Sequence, residues 1–218
     1  MSIKPSRLRW LLGITTALVF AGGLSAVASV WTKVVGGNAS GSWGDAANWS
    51  GGIPNATSAV ADFSTLSLTV NSTVTNDAIR TVGTLKFKDT TVGNNWTLTG
   101  STLTLAASSG SPLIDAGNSS QITTMALGLG GGQGFVKSGA GTLLLSGGTA
   151  NTIGGTIVIT NGSIQTPNGA SLKNVAATIV VATGTELRVG GNFDNNANSC
   201  PLVLNGTGDG NGSEGALH

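Results

Sequence analysis

The single histidine, His218, is the last residue, and the single cysteine, Cys200, has no second thiol to pair with. Nucleophilic catalysis in a folded core needs a base within hydrogen-bond reach of the nucleophile. Ser-His-Asp and Cys-His chemistry are therefore not expected, and a His/Cys zinc site lacks its ligands. Carboxylates remain: Asp45, Asp62, Asp77, Asp89, Asp115, Glu186, Asp194, Asp209 and Glu214. Glycoside cleavage needs acidic groups converging on one face, and these are dispersed along the chain with no second carboxylate at a matching spacing. Asn205 to Glu214 gathers oxygen ligands in a glycine-rich loop but lacks the repeated Asp of a calcium-binding repeat, so it reads as a flexible loop. No cofactor and no metal are expected. Cys200 reads as a small buried hydrophobe, with an intermolecular bridge as the alternative if the chain is exported.

The elements that would have to position any site are foreshadowed by the composition. The chain has 218 residues, 35 of them Gly, no Tyr, and only 9% charged residues, with polarity supplied by Thr, Ser and Asn. Short polar side chains compete for nearby backbone hydrogen bonds, which weakens helices and suits turns and strands. A hydrophobic content of 39% with a net charge of +1 argues against wholesale disorder. Nucleic-acid binding leans on clustered Lys and Arg. Here the ten basic residues are scattered, so no nucleic-acid partner is expected.

Three of those basic residues, Lys4, Arg7 and Arg9, precede an uncharged apolar run from Leu11 to Leu24, and Ala26-Val27-Ala28 follows. A positive start, an apolar middle and a small-x-small end make a secretory signal peptide over 1–28, cleaved after Ala28 to leave Ser29 at the new terminus. An uncleaved anchor is the alternative, since Trp10 to Ala28 nearly reaches bilayer length. The expected location is secreted or on the outer cell surface, with the membrane involved only through export. Several Asn-x-Ser/Thr triplets (Asn38, Asn48, Asn71, Asn95, Asn161) are ordinary in a chain of this composition and matter only in a glycosylating host.

Beyond Ala28 no segment keeps a helical period for three turns. Short β-branched or apolar runs recur between Gly, Asn and Ser. They are Leu66–Val70, Thr84–Phe87, Trp96–Leu98, Thr102–Leu105, Gln121–Leu127, Thr142–Leu145, Thr156–Ile159, Thr178–Val181, Glu186–Val189 and Pro201–Leu204. Period-two pairs such as Leu85/Phe87, Leu103/Leu105 and Ile157/Ile159 mark strands with one buried and one wet face. Leu103 to Ile122 is 19 residues, Ile122 to Leu143 is 21, Ile157 to Ile179 is 22, and Ile179 to Leu202 is 23. That recurrence predicts stacked solenoid coils, a parallel β-helix over 64–204, since one coil cannot bury its apolar face alone. A β-sandwich is the alternative architecture.

The strongest local signal runs from Gly134 to Ile164. It holds Phe135, Lys137, Gly139, Gly141, Thr142, Leu143, Leu145 and Gly147, then Gly155 and Thr156, then the turn pair Asn161-Gly162 before Ile164. This stretch resembles the autotransporter-associated β-strand repeat, also called the passenger-associated transport repeat. Its pattern is an apolar-Lys-x-Gly-x-Gly-Thr-Leu-x-Leu-x-Gly stretch followed by a Gly-Gly-Thr strand and a Gly-x-Leu ending. Ile153 stands where the family often has an aromatic residue, which keeps the apolar character. The resemblance covers 134–165 and implies a right-handed parallel β-helix in a passenger displayed or secreted by a Gram-negative-type bacterium.

Earlier, Trp43 and Trp49 precede Gly52-Ile53-Pro54-Asn55 and Ala61-Asp62-Phe63, which resembles the opening of many large proteins carrying such repeats. The pair reads as a hydrophobic cap on the first coil within 29–63, with an aromatic platform for sugar as the alternative. The stretch 205–218 reads as a glycine-rich, truncated end. The expected function is a non-catalytic structural or adhesive β-helix segment whose partners are extracellular polysaccharide or a host or cell-surface ligand. The alternative is a fragment of a β-helix enzyme acting on extracellular polysaccharide. Unpaired solenoid ends predict edge-to-edge self-association of the isolated fragment.

Overall fold

The computed structural model describes residues 28–91, 93–167, 169–172, 175–190, 200–206, 208 and 216–217. The leader through Val27 lies outside the described residues, as does most of 207–218, and Ala28 opens the first strand.

Three parallel sheets wrap one interior, with strands numbered in chain order. The first sheet stacks β1 (Ala28–Val30), β3 (Val60–Phe63), β6 (Thr84–Phe87), β9 (Leu113–Ala116), β12 (Gly134–Ser138), β15 (Thr156–Ile159), β17 (Thr178–Val181) and β19 (Leu202–Leu204). The second stacks β2 (Gly41–Ser42), β4 (Ser72–Asn76), β7 (Trp96–Gly100), β10 (Ile122–Met125), β13 (Thr142–Leu145), β16 (Ser163–Thr166) and β18 (Glu186–Val189). The third, narrower sheet holds β5 (Arg80–Val82), β8 (Leu103–Leu105), β11 (Leu129–Gly131) and β14 (Thr152–Ile153). In the four coils from β3 to β14 the chain passes from first to second to third sheet and returns to the first one coil higher, whereas the coils before β3 and after β14 have strands in the first and second sheets only. Every pairing between these strands is parallel, so the architecture is a β-solenoid and the sandwich alternative fails. Among the described residues no α-helix occurs.

The coil length varies. Val60 pairs with Thr84, 24 residues on, and Thr84 with Leu113, 29 on, whereas Gly134 pairs with Thr156 and Thr156 with Thr178 at 22 each. The spacing from Leu103 to Ile122 therefore does not join equivalent places. Leu103 stacks under Leu129 in the third sheet, while Ile122 points outward in the second and Thr123 takes the inward place above Trp96. Ile157, Ile179 and Leu202 do stack in one column. The stretch Leu66–Val70 is not a strand. Its groups are satisfied in other ways: Leu68 N donates to Asp89 Oδ1, Thr69 N to the Gly37 carbonyl, and the Leu66 carbonyl accepts from Thr90 N.

Inward side chains form columns along the axis. One runs Ala61, Leu85, Ile114, Lys137, Ile159, Val181, and another runs Trp96, Thr123, Leu143, Ile164, Leu187. Each aliphatic member removed from water stabilises by about 1.5–3 kcal/mol. The first coils are filled differently. Trp31, Trp43, Trp49, Phe63, Phe87 and Trp96 pack ring against ring with centroids 4.9–6.4 Å apart, Phe63 and Phe87 lying parallel at 5.0 Å. The indole N–H groups of Trp31, Trp43 and Trp49 donate to the carbonyls of Ala39, Pro54 and Trp43. All three indoles are buried, so none presents a face to a sugar.

Candidate functional site

The residues singled out by the repeat motif fall mostly at the corners of one coil and its neighbours. Phe135, Leu143, Leu145, Ile153 and Ile164 are buried and point inward, while Thr156 is exposed at the start of β15. Gly139 has φ +76°, and a Cβ there would lie 2.3 Å from Asp115 Oδ1 and 2.5 Å from the Ala116 carbonyl of the coil below. Gly141 donates its N–H to that same carbonyl at 2.8 Å. Gly147 and Gly155 are packed as closely against the backbones of Leu127 and Gln133. At Gly162, φ is +65° and a Cβ would meet the Gly141 carbonyl at 2.4 Å, so the glycines of consecutive coils rest on one another. Thr142 Oγ1 and Ser163 Oγ pair at 3.0 Å across coils.

Lys137 is the chemically unusual member. It occupies an inward place on β12 between Ile114 below and Ile159 above, and it is 0% exposed. The amine donates to the Gly139 carbonyl at 2.6 Å and to the Asn161 carbonyl of the next coil at 2.8 Å. Burial pulls it down to about 8, against which the charge of Asp115 in the coil below holds it up. Turn carbonyls that tilt inward have no water to accept from, and an unmet carbonyl is costly. Only a long, flexible donor rooted on the strand two residues earlier reaches both corners. The lysine thus ties two coils together at one corner, through Gly139 and Asn161, with the charge of Asp115 acting on it from the coil below.

A second set of polar ties was not apparent from the sequence. Asp89 is fully buried, and its carboxylate accepts from Leu68 N, Thr91 N, Thr91 Oγ1, Asn94 N and Asn94 Nδ2 at 2.9–3.2 Å. Burial alone would raise its pKa, but the donors outweigh burial and hold it below 3.8. Gln121 Nε2 donates to the Asn94 carbonyl and Asn118 Nδ2 to the Asp89 carbonyl. At the corner between the second and third sheets Asn151 Oδ1 accepts from Leu129 N, and its Nδ2 donates to the Ser171 carbonyl. In a chain so rich in Asn and Ser, nothing in the sequence separates these few from the exposed majority.

The carboxylates are less scattered than the sequence implied. Asp62, Lys86 and Asp115 form one outward column on the first sheet, acid, base, acid, on successive coils. The 24- and 29-residue coils hide this alignment from any fixed period. Asp62 is committed to Ser64, accepting from its N–H at 2.9 Å and its hydroxyl at 2.6 Å. On the second sheet a cleft of about 280 Å³ is lined by Ser119, Thr142, Asn161, Ser163 and Arg188 among others. Arg188 holds Glu186 Oε2 at 2.7 Å, while Glu186 Oε1 is buried with no hydrogen-bond partner. Hydroxyls, an amide and a guanidinium make this a polar recess. The hydroxyls of Thr142 and Ser163 bond to each other.

Cys200 is buried, its thiol donating to the Ala177 carbonyl at 2.8 Å, and burial pushes it up to about 11. A thiol held protonated is a poor nucleophile. Of the loop from Asn205 to Glu214 only Asn205, Gly206 and Gly208 are described, and the candidate ligands Asp209 and Glu214 lie outside the described residues. No group of three or more His, Cys, Asp or Glu residues comes together among the described residues. No protein-family model, curated protein or solved structure matches the chain.

Proposed function

We propose that this chain is a non-catalytic structural and adhesive stretch of a right-handed β-helix, exported and carried in an autotransporter-like passenger. The observation behind the reading is the corner built by Lys137, Gly139, Gly141 and Gly162. The residues that the repeat pattern fixes are those whose replacement would open or block the stacking of three coils.

On the earlier coils, β4, β7 and β10 of the second sheet present Thr73, Thr75, Thr97, Thr99 and Thr124 outward, an uncharged hydroxyl surface. Such a face suits weak, repeated contacts with extracellular polysaccharide or a cell-surface ligand, which is where adhesion would reside. Export is tested by producing residues 1–218 in a Gram-negative host and sequencing the N-terminus of the product outside the cytoplasm. Ser29 as first residue is expected. A product that stays in the cytoplasm with its leader intact would overturn the exported reading.

A further inference from the structure

Asn161 and Gly162 form the corner between β15 and β16, and Asn161 is exposed, its side chain bordering the polar cleft. Gly162 cannot be replaced by a bulkier residue without striking the Gly141 carbonyl, so the turn keeps an Asn-Gly pair. The Asn161 carbonyl accepts from the buried Lys137 amine at 2.8 Å. The geometry points to Asn161 as a site of spontaneous covalent modification, in which Lys137 promotes deamidation through a succinimide.

The chemistry balances without a further reagent except water. The Gly162 backbone N–H loses its proton to solvent base, and the nitrogen attacks Cγ of Asn161. The new N–Cγ bond closes a five-membered ring, and the side-chain nitrogen leaves as ammonia after taking up a proton. Water then opens the ring at either carbonyl, giving aspartate or isoaspartate. Proton loss from the peptide nitrogen is the difficult step, because it makes an imidate whose charge is shared with the Asn161 oxygen. A fixed ammonium on that oxygen stabilises charge where it develops. Glycine at 162 leaves the attacking nitrogen unhindered by a side chain.

The products suit the surroundings in one respect and strain them in another. A carboxylate at position 161 would join Arg188 across the same cleft. Isoaspartate adds a methylene to the backbone of a turn already stacked on Gly141, drawing the carbonyl away from Lys137. The corner that joins two coils therefore carries its own slow chemical ageing.

Asn205-Gly206 is an internal control. Asn205 is also exposed, and among the described residues no lysine donates to its carbonyl. The purified full chain is incubated near neutral pH at 37 °C, and peptide mapping by mass spectrometry follows the amide-to-acid mass gain at each site. Asn161 is expected to convert roughly fivefold faster than Asn205, well below an enzymic oxyanion effect because the carbonyl is dry but the residue itself is exposed to water. In strong urea the two rates should converge, and Lys137→Met should slow Asn161 while leaving Asn205 unchanged. The urea comparison needs no variant to fold. Conversion of Asn161 no faster than Asn205 in the folded chain, or an advantage that persists in urea, would overturn the proposal.

Discussion

Lys137 puts an ammonium where the rest of its column puts aliphatic carbon, so protonation and folding are linked there. Its folded value is about 8, against 10.5 for the ordinary group. Between those values the unfolded chain binds more protons than the folded one, and stability rises with pH in that window. The full shift corresponds to an increment on the order of 3 kcal/mol. Cys200 opposes it higher up. A thiol raised from 9.0 to about 11 contributes stability that is full below 9 and is lost as the pH climbs towards 11. Urea midpoints measured from pH 7 to 9 should therefore increase, and the increase should vanish in Lys137→Met. A flat profile would mean the amine is not desolvated. Asp89 acts at the acid end. Its folded pKa lies below 3.8, so the stability it contributes is complete above that value and is lost as the pH falls through the depressed one. Asp89→Asn replaces one acceptor oxygen by an amide facing the Asn94 donors, and should cost about 1.5–3 kcal/mol in chemical denaturation.

At the scale of single turns, two glycines separate conformation from contact. Gly139 and Gly110 both have positive φ, +76° and +68°, but a Cβ at Gly110 meets nothing within 4 Å. Gly110→Ala should cost about 1 kcal/mol, the strain of a left-handed alanine. Gly139→Ala must also displace Asp115 and the Ala116 backbone, and should lose about 2–4 kcal/mol. Equal losses in thermal unfolding would show that coil-to-coil contact at this corner is loose. The strands themselves were largely legible: Thr84–Phe87, Thr142–Leu145, Thr156–Ile159, Thr178–Val181 and Glu186–Val189 have the expected bounds. Each has period-two apolar residues with turn formers on both sides. Strands such as Ser72–Asn76 and Arg80–Val82 were not, because one inward place in the first holds Ser and another Asn, and the second is three residues long. Leu66–Val70 had the right pattern, yet its backbone is engaged by Asp89 and the Gly37 loop rather than a ladder. The Lys137 corner could be located from its glycines, but the inward path of the amine could not. Lysine in a strand ordinarily faces water.

For the molecule as a whole, stacked coils make stability a sum of coil and nearest-neighbour terms rather than one global quantity. Those terms are uneven along the axis. Six aromatic rings fill the coils from Trp31 to Trp96, with parallel stacking between Phe63 and Phe87. At the other end Leu202 is only partly buried, and Val203 and Leu204 are 43% and 44% exposed. Opening should begin at β19 and travel towards the aromatic end. Amide hydrogen exchange is therefore expected to be slowest in β6 and β7 and to quicken through β15, β17 and β19. Two truncations test the direction. Ile179→Ala removes about 2–5 kcal/mol from a late coil and should accelerate exchange in β15 to β19 while leaving β6 and β7 protected. Phe87→Ala removes about 3–5 kcal/mol from the aromatic stack and should lower protection along the whole chain, since the last block to open then opens early. If Ile179→Ala instead raised exchange equally in every strand, the coils would be a single cooperative unit, and the gradient from aromatic to aliphatic packing would have no energetic meaning.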